Sequence, residues 1–252
     1  MSVYTMYFSP SGGTKKVMDI LIQAWKPEGE IDLCRWETDY SVYSFGEEDI
    51  CFIGVPSYGG RVPETALERI RKMHVKGASA VPVVVYGNRA YDDTMLEMKD
   101  ELESCGFKVT AAVAAVAEHS IMRQFGAGRP DEQDKKELLK FSEDIRESWA
   151  KEREEELKVP GNRPYQEYNG VPFKPSAGRK CTGCGLCARE CPVQAIPRDD
   201  PSAVDADRCI SCMRCISICP EHARKVNKII LAAAGKKMKK VCGGRKENEL
   251  FL

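Results

Sequence analysis

The chain has 252 residues, of which 42% are hydrophobic and 30% charged. That composition belongs to a globular protein of one or two domains and excludes a disordered one. No apolar run approaches the roughly 18 residues of a membrane span. The N-terminus also lacks a basic region followed by an apolar run and a cleavage site, so a cytoplasmic protein is expected.

Residues 1–117 alternate between short apolar runs and helical patterns. Residues 3–8 read as a strand and 14–25 as an amphipathic helix. A weaker strand follows over 31–36, then a short apolar strand over 50–55 ended by Pro56. Residues 63–73 read as a helix with proline at its start, where the missing N–H costs nothing. A strand is expected over 81–86, a helix over 92–104 and a last strand over 107–116. Strands alternating with helices imply a parallel sheet covered on both faces. Residues 131–157 predict one long charged helix with a narrow apolar stripe of Leu138, Leu139, Ile145 and Trp149, its acidic start suiting the positive end of the helix dipole. Residues 158–177 read as an extended connector, and 226–252 as a basic tail.

The chain holds 12 cysteines. In a reducing compartment these are not disulfides, and their distribution matters more than their number. Residues 181–192 read CTGCGLCARECP and residues 209–220 read CISCMRCISICP. Both are C-x2-C-x2-C-x3-C-P, and two copies in register specify two 4Fe–4S clusters. The short spacings let three thiolates close on one cluster around a tight turn, while the fourth cysteine reaches the other cluster. Cys181, Cys184, Cys187 and Cys219 are thus assigned to one cluster, and Cys209, Cys212, Cys215 and Cys191 to the second. Small or apolar residues between them (Gly183, Gly185, Ile210, Ser211) let backbone amides approach the sulfurs, which helps set the potential. Paired zinc ribbons are the competing reading, but zinc needs no third C-x2 spacing. Over about residues 178–224 the sequence resembles the bacterial two-cluster ferredoxin family.

The net charge of zero hides a split. Residues 176–252 hold 15 Lys and Arg against 8 Asp and Glu, and residues 1–175 carry the opposite excess. Basic tails can mark nucleic-acid binding. Here the anionic clusters supply a simpler reason for cations, and no nucleic-acid partner is expected.

In the N-terminal part, three loops sit at the carboxyl ends of the expected parallel strands, where open α/β sheets bind ligands. The first is Ser9-Pro10-Ser11-Gly12-Gly13-Thr14, hydroxyls and glycines ahead of a helix N-terminus, which suits a phosphate. It has neither the order of a nucleotide P-loop nor that of a dinucleotide fingerprint. The second is PSYGGRVP over 56–63, the third GNRAYDD over 87–93. Each carries a tyrosine among glycines and polar groups, suited to stack on a planar ligand. Together they point to FMN. The candidate FMN-binding residues are Ser9, Ser11, Gly12, Gly13, Thr14, Pro56, Ser57, Tyr58, Gly59, Gly60, Arg61, Gly87, Asn88, Arg89, Tyr91 and Asp92. Arg61 and Arg89 either offset the charge of a reduced flavin or form structural pairs. His119 reads as a surface or packing residue rather than a proton donor, Cys34 and Cys51 as small core residues, and Cys242 as an unremarkable tail thiol.

The phosphate loop resembles that of the flavodoxin family, and the resemblance covers about residues 1–150. It implies an α/β flavodoxin-like doubly wound parallel sheet of order 2-1-3-4-5, with a small α+β ferredoxin-like domain following. It also implies that 57–61 and 87–92 flank the flavin ring. GNRAYDD departs from the usual short-chain flavodoxin pattern. The joined layout resembles the flavodoxin–ferredoxin fusion proteins of anaerobic bacteria. The domains expected are a flavodoxin-like domain over 1–157, the connector, a two-cluster domain over 178–225 and the tail.

With no acid/base constellation in view, the chain reads as an electron carrier between its clusters and FMN, linking a ferredoxin-level donor to a partner acceptor. The alternative is an FMN-dependent reductase of a small acceptor (quinone, cobalamin or aromatic compound) fed by the clusters. A redox protein partner is expected, and a homodimer is compatible with the sequence. The connector is long enough for the clusters to meet either their own flavin or that of a second subunit.

Overall fold

The computed structural model describes residues 2–149 and 156–252. β1 (Ser2–Tyr7) leads into α1 (Gly13–Leu21). α1 stops short of the expected residue 25 because Trp25 turns inward. The Trp25 ring meets Phe52 edge-on at 5.0 Å, and its Nε1 donates to Ser142 Oγ at 2.9 Å. β2 (Gly29–Asp32) lies earlier than the expected 31–36. It ends where the Asp32 carboxylate accepts from the Cys34 amide at 2.8 Å and turns the chain. β3 (Ser44–Phe45) precedes β4 (Asp49–Pro56), a central strand flanked by β1 and by a later strand. α2 (Glu64–Ile70) starts after Pro63, and β5 (His74–Val75) pairs with β3 away from the main sheet. β6 (Ser79–Tyr86) is buried along its whole length, as a strand covered on both faces must be.

α3 (Thr94–Ser104) follows. The expected strand over 107–116 is broken into β7 (Lys108–Val109) and β8 (Ala112–Val116), both parallel to β6. α4 spans Glu132–Trp149. The rest of the expected long helix, residues 150–155, lies outside the described residues. Residues 156 and 157 are not helical, and Leu157 joins the core. The cysteine-rich part is built from β9 (Ser176–Ala177), α5 (Leu186–Arg189), α6 (Arg214–Ser217) and β10 (Arg224–Lys225), with β9 and β10 antiparallel. α7 (Lys228–Cys242) and β11 (Glu249–Phe251) complete the chain.

From one edge the main sheet runs β2-β1-β4-β6-β8-β11. The first five strands are parallel and, counted among themselves, run 2-1-3-4-5. Side-chain alternation divides the core. Ile53 and Val55 of β4 face the layer that includes Leu67 and Met98, whereas Ile50 and Phe52 face the layer that includes Leu21 and Leu138. The doubly wound sheet therefore has a helical layer on each face.

Residues 226–252 are not a free basic tail, which corrects the sequence expectation. β11 pairs antiparallel with β8, in register Glu249↔Ala114 to Phe251↔Ala112. Without it, β8 would be an open edge of unpaired amides and carbonyls. Buried polar contacts hold the strand in place. Asn248 Oδ1 accepts from the Val116 amide at 2.9 Å and its Nδ2 donates to Asp134 at 2.9 Å. Asp134 is itself paired with the buried Arg129. Sequence reading missed this strand because ELF is too short and too mixed to carry a pattern.

The connector is laid down along the α/β domain. Asp93 accepts from the amides of Asn162 and Gln166 at 2.9 and 2.7 Å, and Arg163 pairs with Asp100 at 2.5 Å. The cysteine-rich domain docks on residues 33–37 and α2. Trp36 Nε1 donates to Arg189 O at 3.0 Å, and the buried Arg69 donates to the carbonyls of Leu33 and Pro192. Arg198 stacks on the Trp36 ring at 5.1 Å and pairs with Glu37.

Candidate functional site

The structure brings the eight clustered cysteines into two small cavities. One is lined by Cys181, Cys184 and Cys187 of the first motif with Cys219 of the second. The other is lined by Cys209, Cys212 and Cys215 of the second motif with Cys191 of the first. Each motif makes a turn with two residues at positive φ: Gly183 and Gly185 in the first, Ser211 and Met213 in the second. A short helix then carries the third cysteine of each motif and leads to the fourth, which lines the other motif's cavity. The two crossing cysteines each accept a backbone amide, Cys191 Sγ from Ala195 at 3.2 Å and Cys219 Sγ from Ala223 at 3.3 Å.

The charges beside these cavities test what they hold. Arg224 lines the first and Arg214 the second. Both Nε groups are buried and lack an acceptor among the described residues. A buried guanidinium N–H without a partner is costly, and the sulfurs of an anionic cluster are the acceptors its position suits. Burial raises the thiols of Cys212 and Cys215, the latter to about 12. Such thiols become thiolates when a metal supplies the positive charge. At Cys219 burial acts upward too, but the amides of Ala223, Arg224 and Glu221 outweigh it and hold the thiol low. The residues present fit a 4Fe–4S cluster in each cavity.

A third, larger cavity of about 330 Å³ opens at the carboxyl ends of β1, β4 and β6. Ser11, Gly13 and Thr14 line one end of it. Gly13 and Thr14 lie ahead of the first backbone bond of α1, Lys16 N to Gly12 O, so their amides have no intrahelical acceptor. Ser9 and Gly12 shape this loop instead of lining it. Ser9 Oγ accepts from the Lys15 amide at 2.8 Å, and Gly12 adopts φ +90°. The loop fits a phosphate.

Pro56, Ser57, Tyr58, Gly59 and Gly60 form a second wall. Residues 58–61 close a tight turn, with the Tyr58 amide donating to Arg61 O at 3.0 Å and both glycines at positive φ. A Cβ on Gly60 would lie 2.5 Å from Asp92 Oδ2. Gly87 and Arg89 supply the third loop's share.

Four residues expected at the flavin brace the loops from behind. Arg61 pairs with the buried Glu97, whose carboxylate also accepts from the Val62 amide at 2.7 Å. Asn88 is buried, its Nδ2 donating to the carbonyls of Cys242 and Gly244 at 2.7 and 2.8 Å. Tyr91 packs edge-on against Tyr86 at 5.2 Å and donates to Glu249 at 3.1 Å, so its ring is not available for stacking. Asp92 pairs with Arg89. The returning C-terminal segment claims Asn88 and Tyr91, and sequence spacing carries no sign of that.

His119 lines the cavity rather than the outer surface. Its Nδ1 accepts from the amides of Ile121 and Met122 at 3.2 and 3.3 Å, which leaves Nε2 to carry the proton. Burial, and then Arg89, lower its pKa, so it stays neutral. Sequence reading also missed Met122, Phe173 and the α7 residues Ala234, Lys237 and Met238 in the lining. Two further residues decide how the parts relate. Ile210 and Ser211, which lie between Cys209 and Cys212, form part of this cavity's wall. Ser211 Oγ donates to Val171 O at 2.9 Å, tying that loop to the connector.

Residues 180–223 match the family model of the 4Fe-4S dicluster domain. The chain joins a flavodoxin-like domain to a 4Fe-4S dicluster domain. Among solved structures, the flavodoxin-like part is similar to a flavodoxin from the domain Archaea, at 14% identity and TM-score 0.41, over 60% of this chain and 100% of that one. Flavodoxin 2 from Bacillus cereus gives 15% and 0.42, over 58% and 99%. A Streptococcus pneumonia TIGR4 flavodoxin gives 17% and 0.40, over 58% and 99%. Among the described residues, no helix is long and apolar enough to cross a membrane.

Proposed function

We propose that this protein is an iron–sulfur flavoprotein that passes electrons between two 4Fe–4S clusters and FMN within one chain. Cys181, Cys184, Cys187 and Cys219 hold the distal cluster. Cys209, Cys212, Cys215 and Cys191 hold the proximal one. Ser11, Gly13 and Thr14 take the phosphate of FMN. Ser57, Tyr58, Gly59, Gly60, Gly87 and Arg89 surround its ring system. When bound, the clusters supply one-electron and FMN one- or two-electron chemistry.

The observation that carries this reading is the shared wall: Ile210 and Ser211 belong at once to the Cys209–Cys212 turn and to the large cavity. The chain's own residues hold that juxtaposition rigid. Lys174 Nζ donates to Cys209 O, and Ser211 is fixed through Val171. Tyr58 stands in the same wall. His119 presents a neutral imidazole to the cavity with its tautomer set by two amides. The apolar residues Met122, Phe173 and Met238 line the same cavity. The cavity volume lies at the lower end for ligand pockets, about 300–1,000 Å³.

The test is stopped-flow reduction of the anaerobic, reconstituted protein by dithionite at a concentration too low to reduce free FMN on the same timescale. Cluster bleaching followed by flavin reduction at a rate independent of protein concentration is expected. Reduced clusters beside a flavin that stays oxidised would refute the relay, and a rate that grows with protein concentration would move it between chains.

A further inference from the structure

We propose that the outward face of α7 is a docking surface for an acidic redox protein, held against the wall of the large cavity. The proposal rests on the reading of that cavity as the FMN site. α7 is two-sided. Leu231, Ala234 and Met238 pack inward against a small cluster of Met122, Phe125, Ile121 and Phe173. Ala234, Lys237 and Met238 also line the cavity. The outer side carries Lys228, Lys236, Lys239 and Lys240, all exposed. None of these four forms an ion pair with another described residue.

The sequence from 226 to 246 contains no Asp or Glu. Lys236 and Lys240 stand four residues apart and Lys236 and Lys239 three apart, on neighbouring turns, where like charges destabilise a helix. Nothing inside the described chain relieves that repulsion, so the complementary charge comes from outside.

An acidic protein fits this face better than an anionic membrane. A helix that lies on lipid buries a continuous apolar stripe, and the stripe of α7 is already spent on the interior. The exposed apolar residues, Ile229 and Ile230 at one end and Val241 at the other, flank the lysines without joining. They suit the apolar contacts of a protein interface. The redox character of the partner follows from place: a protein seated there is separated from the cavity by the width of one helix, about 10 Å.

The experiment is calorimetric titration of the cofactor-loaded protein with an acidic [2Fe–2S] ferredoxin, at low and at physiological ionic strength. The variant carries Lys236→Glu, Lys239→Glu and Lys240→Glu together, and a second variant carries Arg at the same three positions. The wild type should bind the ferredoxin, with Kd rising steeply with salt. The Glu variant should bind at least about tenfold more weakly at low salt. The Arg variant should keep the wild-type affinity. Cluster absorbance and FMN content should be unchanged in both. Equal binding by the Glu variant overturns the proposal, as does equal binding of cationic cytochrome c by the wild type. Sedimentation of the wild type, but not the Glu variant, with phosphatidylserine vesicles, in the absence of ferredoxin binding, replaces the protein partner with a membrane and also overturns it. Salt-sensitive ferredoxin binding by protein that takes up no FMN supports the surface and sinks the flavin reading instead.

Discussion

Replacing Arg224 by Gln should lower the potential of the cluster held by Cys181, Cys184, Cys187 and Cys219, and of that cluster alone. Arg224 is 2% exposed and lines that cavity. Its Nη2 donates to Pro201 O and to Ala203 O at 3.0 Å, while its Nε has no acceptor among the described residues. An extra electron makes the cluster more negative, so the guanidinium stabilises the reduced form more than the oxidised one. A hydrogen bond to a charged group contributes roughly 1.5–3 kcal/mol, and for one electron each 1.4 kcal/mol corresponds to about 59 mV. If most of that interaction is confined to the reduced state, the potential should fall by about 60–120 mV. EPR-monitored redox titration measures it. Arg214→Gln provides the internal control, since Arg214 lines the other cavity and should shift only that cluster. Arg224→Lys, which keeps the charge, should recover part of the loss. Equal shifts of both clusters on Arg224→Gln, or none, would refute the assignment of one arginine to each cavity.

Cys191→Ala should remove the cluster built mainly by the second motif, because Cys191 lines the cavity of Cys209, Cys212 and Cys215; iron analysis should show half the wild-type content, and loss of the other cluster's EPR signal would contradict the crossing. Gly87→Ala should weaken FMN binding and cost about 1–3 kcal/mol in stability, since the new Cβ would lie 2.8 Å from His119 Cβ and 2.9 Å from its Cα; fluorescence titration with FMN and urea unfolding check both. Asp134→Ala should destabilise the fold by about 3–5 kcal/mol by leaving the buried Arg129 uncompensated, read by urea unfolding. Burial pushes the Asp134 carboxyl up, but Arg129, the Asp131 amide and Asn248 outweigh it and hold it below its ordinary value. A depressed carboxylate adds stability in full above its unfolded pKa of about 3.9 and loses it as the pH falls through the folded value. The wild type should therefore lose stability below about pH 4 more steeply than the variant.

The parts that short-range chemistry dictates were legible in the sequence. The two cysteine runs specify their turns, because the ligand spacing lies within a dozen positions. The strand–helix alternation of 1–117 reports a covered parallel sheet, because apolar runs such as β6 bury both faces. The loop from Ser9 to Thr14 was legible as the turn into a helix, because hydroxyls and glycines precede the start of α1. Even there, sequence did not separate the residues that line the cavity from those that brace it. Ser9 and Ser11 look alike in a motif, yet one caps α1 and the other faces the cavity.

Tertiary structure decided what long-range packing decides. Tyr91 and Asn88 were drawn away from the large cavity by a segment more than 150 residues away, through Glu249 and the carbonyls of Cys242 and Gly244. His119 entered the cavity because its ring is held by two following amides against Gly87. The basic end of the chain became a helix over the cavity and a strand on an open sheet edge, since β8 offered unpaired backbone groups that no local pattern could reveal. Cys191 and Cys219 could be assigned to the opposite motif from spacing alone. That the second motif, and not the first, forms a wall of the large cavity follows from how Arg69 and Trp36 seat the cysteine-rich domain, a choice made by surface complementarity between residues far apart in sequence.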